Sequence, residues 1–76
     1  MRSLSRERIV IDPKIMGGKP VIRGTRMPVY FVLELLACGW SIDDILREYP
    51  QLTREDVLAA IEYAARVLRE EIVIKT

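Results

Sequence analysis

Apolar positions recur at helical spacing through the last two thirds of the chain and cluster as short β-branched runs in the first third. After Pro28, whose fixed φ suits the first position of a helix, Val29, Val32, Leu33 and Leu36 fall at i, i+3, i+4 and i+7. This predicts a helix over Pro28–Cys38, closed by Gly39 as a left-handed C-terminal residue. Ser41-Ile42-Asp43-Asp44 reads as a capping box with Asp in place of the usual Glu, and Trp40 and Ile45 stand in the flanking staple positions. A short helix over Ile42–Tyr49 follows and Pro50 stops it. The same grammar returns in Thr53-Arg54-Glu55-Asp56, with Leu52 and Val57 as the staple pair, so a third helix is expected from Arg54 to about Glu71. Within it Val57, Ile61, Ala64, Ala65 and Leu68 form an apolar stripe expected to face the core, while Glu62 and Arg66 make an i,i+4 pair on the solvent side.

The first third reads as strands and turns. Ile9-Val10-Ile11 is a strand candidate that Asp12-Pro13 stops, Met16-Gly17-Gly18-Lys19-Pro20 is a cluster of breakers, and Val21-Ile22 is a second short strand. A two-stranded hairpin alone is marginal in water, so these strands are expected to pack on the helices or to pair across a dimer. Gly24 marks a sharp turn before the helical region. Ile72-Val73-Ile74 reads either as a third short strand or as the frayed end of the last helix. The predicted fold class is mainly α: a three-helix, helix-turn-helix-like bundle with a short N-terminal β arm. It forms a single domain, with a basic β/turn arm at 1–27, a three-helix unit at 28–71 and a short tail at 72–76.

Composition narrows the chemistry. A chain of 76 residues, half of them hydrophobic and 30% charged, is a globular domain. One of this size buries only about 60% of the surface its unfolded chain exposes, which favours dimerisation or docking on a partner. No apolar run reaches the roughly 18 residues of a membrane span, so a cytoplasmic protein is expected, with no membrane partner. Cys38 is the single cysteine and His is absent, which removes internal disulfides, thiolate clusters and the commonest general base. Cys38 is expected to be a small buried residue near a helix end. Gly17-Gly18-Lys19 lacks the surroundings of a phosphate-binding loop, because Pro13 stands where the first Gly belongs and Pro20 where Ser or Thr belongs. The reading is a binding protein, not an enzyme, without cofactor or metal.

Charge is distributed unevenly. Residues 1–26 carry seven basic side chains against Glu7 and Asp12, a net +5, and the remainder carries five basic against nine acidic, a net −4. The Ile42–Tyr49 helix, the Pro50-Gln51-Leu52 turn and the helix from Arg54 have the layout of a helix-turn-helix. Its recognition turn presents Arg54 as a further candidate contact, beside Glu55 and Asp56, whose carboxylates repel phosphate. Lys14, Lys19, Arg23 and Arg26 cluster ahead of the helices, where they suit a nucleic-acid backbone, a protein partner near Tyr30 and Phe31, or the acidic body of the chain or its dimer mate. A homodimer is expected from the open edges of the two strands.

Several segments together carry a family resemblance: Ile11-Asp12-Pro13, Gly17-Gly18-Lys19-Pro20-Val21-Ile22-Arg23-Gly24-Thr25-Arg26-Met27-Pro28-Val29, Gly39-Trp40-Ser41, Tyr49-Pro50-Gln51-Leu52-Thr53 and Asp56-Val57. Over roughly Arg8 to Glu70 the chain closely resembles the bacterial and archaeal family known as domain of unknown function 433. The resemblance implies a homeodomain-like or winged-helix-like fold and a role as the antitoxin partner of a PIN-type nuclease toxin, with DNA as a further candidate ligand. Lys19, Arg23 and Arg26 lie within the matching motifs and carry over as candidate contacts. Arg23 and Arg26 would suit the clustered carboxylates of such a nuclease, since a guanidinium engages a carboxylate through two hydrogen bonds. Two other readings remain open, a stand-alone helix-turn-helix DNA-binding regulator and a structural protein–protein interaction domain.

Overall fold

The structure, a computed structural model, describes residues 3–73, with side chains for residues 3–70. In chain order the elements are α1 (Leu4–Arg8), β1 (Ile9–Val10), one turn of 3-10 helix (Met16–Gly18), β2 (Val21–Ile22), α2 (Val29–Ala37), α3 (Ile42–Glu48) and α4 (Arg54–Val73). The fold is mainly helical with a two-stranded antiparallel sheet near its N-terminus, in register Ile9↔Ile22 and Val10↔Val21. The three predicted helices are α2, α3 and α4.

The core draws on almost every element. Ile22 of β2, Val29 and Val32 of α2, Ile45 of α3, Leu52 of the following turn, and Val57 and Ala60 of α4 form one buried cluster, with Met27, Trp40, Tyr49 and Tyr63 packed against it. The rings of Phe31 and Tyr49 meet edge to face at 5.8 Å, which fixes α2 against the end of α3. The hairpin therefore belongs to the core. Val21 and Ile22 are almost wholly buried, and β2 is occupied on both edges within the chain. On one edge it pairs with β1, and on the other the Ile22 N–H donates to Met27 O at 3.0 Å and the Val29 N–H to Pro20 O at 2.9 Å. Gly24 turns the chain at φ +80°, and the Thr25 hydroxyl locks the loop by donating to Ile22 O at 2.8 Å and accepting from the Met27 N–H at 3.0 Å. A second chain would have to pair elsewhere than on β2.

Both predicted capping boxes form, and they differ in environment. Ser41 and Asp44 exchange hydrogen bonds of 2.9 and 3.0 Å at the exposed start of α3. At the start of α4 the Thr53 N–H donates to Asp56 Oδ2 at 2.9 Å and the Asp56 N–H to Thr53 Oγ1 at 3.2 Å. Asp56 is buried, and its other oxygen, Oδ1, accepts from Arg8 Nη1 at 3.0 Å.

Several expectations are corrected. Leu4–Arg8 forms a short helix where only a basic segment was expected. Five residues are too few to hold a helix alone, so its order comes from docking on α4. Glu62 and Arg66 are consequently not on an open face: Ser5 N–H donates to Glu62 Oε1 at 2.8 Å and Ser3 Oγ at 3.1 Å, while Arg66 Nη2 reaches Ser5 Oγ at 3.4 Å. The buried arc of α4 is Asp56, Val57, Ala59 and Ala60, whereas Ile61, Ala65 and Leu68 of the predicted stripe are exposed. Flanked by α1 on one side and α2 on the other, the first turns of α4 bury the small alanines, and its later turns run past the short helices beneath them. Cys38 is exposed, because it lies two residues beyond Leu36 and so on the far side of α2; its N–H closes the helix onto Glu34 O at 3.0 Å. Strand β1 stops at Val10, leaving Ile11 59% exposed. The helix continues through Val73, so Ile72 and Val73 are not a strand, and Ile74 lies outside the described residues.

Asp56→Ala should therefore cost more than the matching change at the exposed box, Asp44→Ala. The expected loss is about 2–3 kcal/mol for Asp56→Ala, from a helix cap plus a part-buried charged hydrogen bond. Urea denaturation of the two variants provides the comparison, and equal costs would show that the Arg8 contact contributes nothing.

Candidate functional site

The predicted contact residues do not form one patch. Lys14 is exposed in a turn in which its own N–H donates to Asp12 Oδ1 at 2.9 Å. Lys19 follows Gly17 and Gly18, both at positive φ, and its ammonium lies 5.8 Å from the centre of the Tyr30 ring. Two of the amides here are engaged within the turn: Gly18 N–H donates to Ile15 O and Lys19 N–H to Met16 O. Arg23 turns the other way, its Nε donating to Glu7 O at 2.7 Å, and shares a polar cleft with Glu7, Arg8 and Asp56. Arg26 is exposed in the β2–α2 loop. Arg54 is held by Asp43, with Nη2 to Oδ1 at 2.8 Å, so the one cation of the presumed recognition turn is already paired.

Two surfaces emerge that the sequence reading did not single out. The first is an almost wholly apolar groove between α2 and α4, about 400 Å³ in volume. Tyr30 and Leu33 form its α2 wall, Ala64, Val67 and Leu68 its α4 wall, and Lys19 sits at its rim. Tyr30 is 48% exposed and Leu68 56%. Small Ala64 between larger neighbours leaves the depression. The signal lay in the apolar stripe itself, which runs further along α4 than α2 can cover.

The second surface is a polar cleft between α1 and α4, lined by Ser3, Arg6, Glu62, Ala65, Arg66 and Arg69. Hydrogen bonds from the Ser5 backbone and hydroxyl, then from Ser3, together with the nearby Arg66 charge, hold the Glu62 carboxyl below the ordinary glutamate range. Asp44 is likewise held low, by the Ser41 backbone and hydroxyl and by Arg47. Among the described residues no three of Cys, Asp and Glu converge as a metal site, and no helix is long and apolar enough to cross a membrane.

A small helical bundle with a two-stranded N-terminal sheet, whose strand β2 is buried, is the class these features define. The family described as Protein of unknown function (DUF433) matches residues 9–64, and the chain belongs to it. The crystal structure of a DUF433 member from Anabaena variabilis is similar, with a TM-score of 0.76 and 35% identity over 83% of this chain and 62% of that one. An uncharacterized protein of Sinorhizobium fredii, y4eO, is 43% identical over 60 residues, 79% of this chain and 27% of that protein. A second uncharacterized protein, from Archaeoglobus fulgidus, is 70% identical over 23 residues, 30% of this chain and 64% of that protein. The chain thus spans about a quarter of the length of the first of these curated relatives.

Because its folded-state pKa is depressed, Glu62 contributes stability that is present above the ordinary glutamate range and is lost as pH falls through the depressed value. The docking of α1 on α4 should weaken below about pH 4. An NMR titration of the Ser5 amide should show that transition, and Glu62→Gln should abolish its pH dependence.

Proposed function

We propose that this chain is a non-catalytic binding module of antitoxin type, which holds a PIN-type nuclease by seating an apolar helix of that partner in the groove between α2 and α4. The observation that carries this reading is the groove: large apolar side chains line a continuous concave surface beside a small core, and exposed apolar surface of that kind marks protein contact sites. Tyr30 supplies the aromatic anchor typical of such interfaces. Lys19 at the rim suits an acidic residue flanking the partner's apolar helix. The nuclease as partner follows from the family resemblance, and its cellular setting would be the cytoplasm.

The helix-turn-helix layout of α3 and α4 supports the alternative of a stand-alone DNA regulator less well. The leading turn of α4 carries Glu55 and Asp56, and its Arg54 is paired with Asp43. A homodimer that uses the same groove is the competing occupant, since β2 has no edge to offer.

Co-expression with a PIN-type nuclease, taken from the neighbouring reading frame if one is encoded there, followed by calorimetric titration and light scattering, tests the reading. Leu68→Asp and Tyr30→Ala should each weaken the complex about tenfold or more while leaving the thermal melt almost unchanged, because both residues are exposed. Arg23→Ala/Arg26→Ala should bind as wild type. A nuclease that does not bind removes the antitoxin role, and a dimer dissolved by Leu68→Asp assigns the groove to a second copy. Weakening by the arginine pair alone would move the contact to the N-terminal segment.

A further inference from the structure

On the side of α4 away from the groove, residues 62, 65, 66 and 69 share one arc, since successive residues advance about 100° around a helix. Arg6, from the last turn of α1, completes a cleft of about 430 Å³ with them. Three guanidinium groups therefore line one concavity with a single carboxylate, Glu62. That carboxylate is already engaged, accepting from Ser5 N–H at 2.8 Å and Ser3 Oγ at 3.1 Å. None of the three arginines is in an ion pair among the described residues, in contrast to Arg8, Arg47 and Arg54.

Arg66 is the fixed member of the set. Its guanidinium carbon lies 5.6 Å from the centre of the Tyr63 ring, and its polar contact within the chain is the long 3.4 Å approach of Nη2 to Ser5 Oγ. Its Nε is enclosed without a hydrogen-bond partner. Glu62 acts on this guanidinium through its charge without an ion-pair contact, so Arg66 keeps N–H donors on its terminal nitrogens that an anion in the cleft can take. Arg6 and Arg69 are exposed at either side and add donors without needing to be desolvated.

We propose that Arg6, Arg66 and Arg69 form a binding site for a phosphate group, distinct from the apolar groove and independent of whether a nuclease occupies it. Three guanidinium forks offer more N–H donors than the two oxygens of a carboxylate accept, and match the several oxygens and higher charge of a phosphate. Glu62 lowers the net charge of the cleft to +2, which suits a phosphate monoanion or dianion and one phosphodiester unit of a nucleic-acid backbone alike.

The test uses the full chain. Inorganic phosphate is titrated at constant ionic strength balanced with sodium chloride, and a short DNA duplex is titrated separately by fluorescence anisotropy. Wild type should show a saturable rise in Tm with phosphate, a saturable anisotropy change with DNA, or both. Arg6→Gln/Arg69→Gln should weaken whichever binding is seen by about tenfold or more, and Arg23→Gln/Arg26→Gln should not. Binding of phosphate with no tighter binding of DNA assigns the site to a free phosphate. Binding of DNA that phosphate displaces, with the slope of log K against log salt reduced by about one in the double variant, assigns it to the backbone. Saturation by neither ligand, or affinity unchanged in Arg6→Gln/Arg69→Gln, overturns the proposal; loss of binding in the Arg23/Arg26 variant alone moves the site to the β2 region.

Discussion

The carboxylate of Asp56 ties together the parts of this fold that are distant in sequence. One oxygen closes the capping box with Thr53 and sets where α4 begins; the other receives Arg8, at the junction of α1 and β1. A side chain this buried is costly to charge unless both oxygens are used, so the start of α4 and the path of the N-terminal segment are coupled. Once Arg8 is fixed, its carbonyl accepts the Arg23 N–H at 2.7 Å and the hairpin follows in register. A core with a handful of fully buried side chains depends on such polar joints more than a larger one would.

Seen from this joint, the motif residues that define the family are mostly structural. Gly24 and Thr25 shape and lock the loop that fills the second edge of β2, and Gly17 and Gly18 adopt positive φ in the turn leading to it. Leu52 is buried and Thr53 caps α4. What remains exposed from the motifs is a scatter of basic side chains facing different ways. Val67 and Leu68 of the groove, and Arg6, Arg66 and Arg69 of the cleft, lie outside the matched residues 9–64. The family match thus reports the scaffold, while both candidate surfaces draw on the later turns of α4.

Those later turns give α4 two characters. Its first half is gripped on two sides and carries Ala59 and Ala60, small enough for close approach. Its second half emerges with an apolar face toward α2 and a basic face toward α1. The two faces are separated by about half a helical turn, so a ligand on one does not obstruct the other.

The sequence by itself determined the helices, because their signals are local. Pro28 and Gly39 bracket α2, and two capping boxes start α3 and α4, each within a few residues of chain. The strands, the turn at Gly24 and the family were legible for the same reason. The tertiary structure alone decided which faces those elements bury. Periodicity assigned one apolar stripe to α4, but neighbours on two sides moved the buried arc and released Ile61 and Leu68 to the surface. It likewise decided that five residues at 4–8 become helical, since that order comes from Ser5 meeting Glu62, a contact spanning 57 positions. The dispersal of Lys19, Arg23 and Arg54 into separate environments is of the same kind. Charge in a sequence gives the inventory of a surface, and only packing sets which charges face one another.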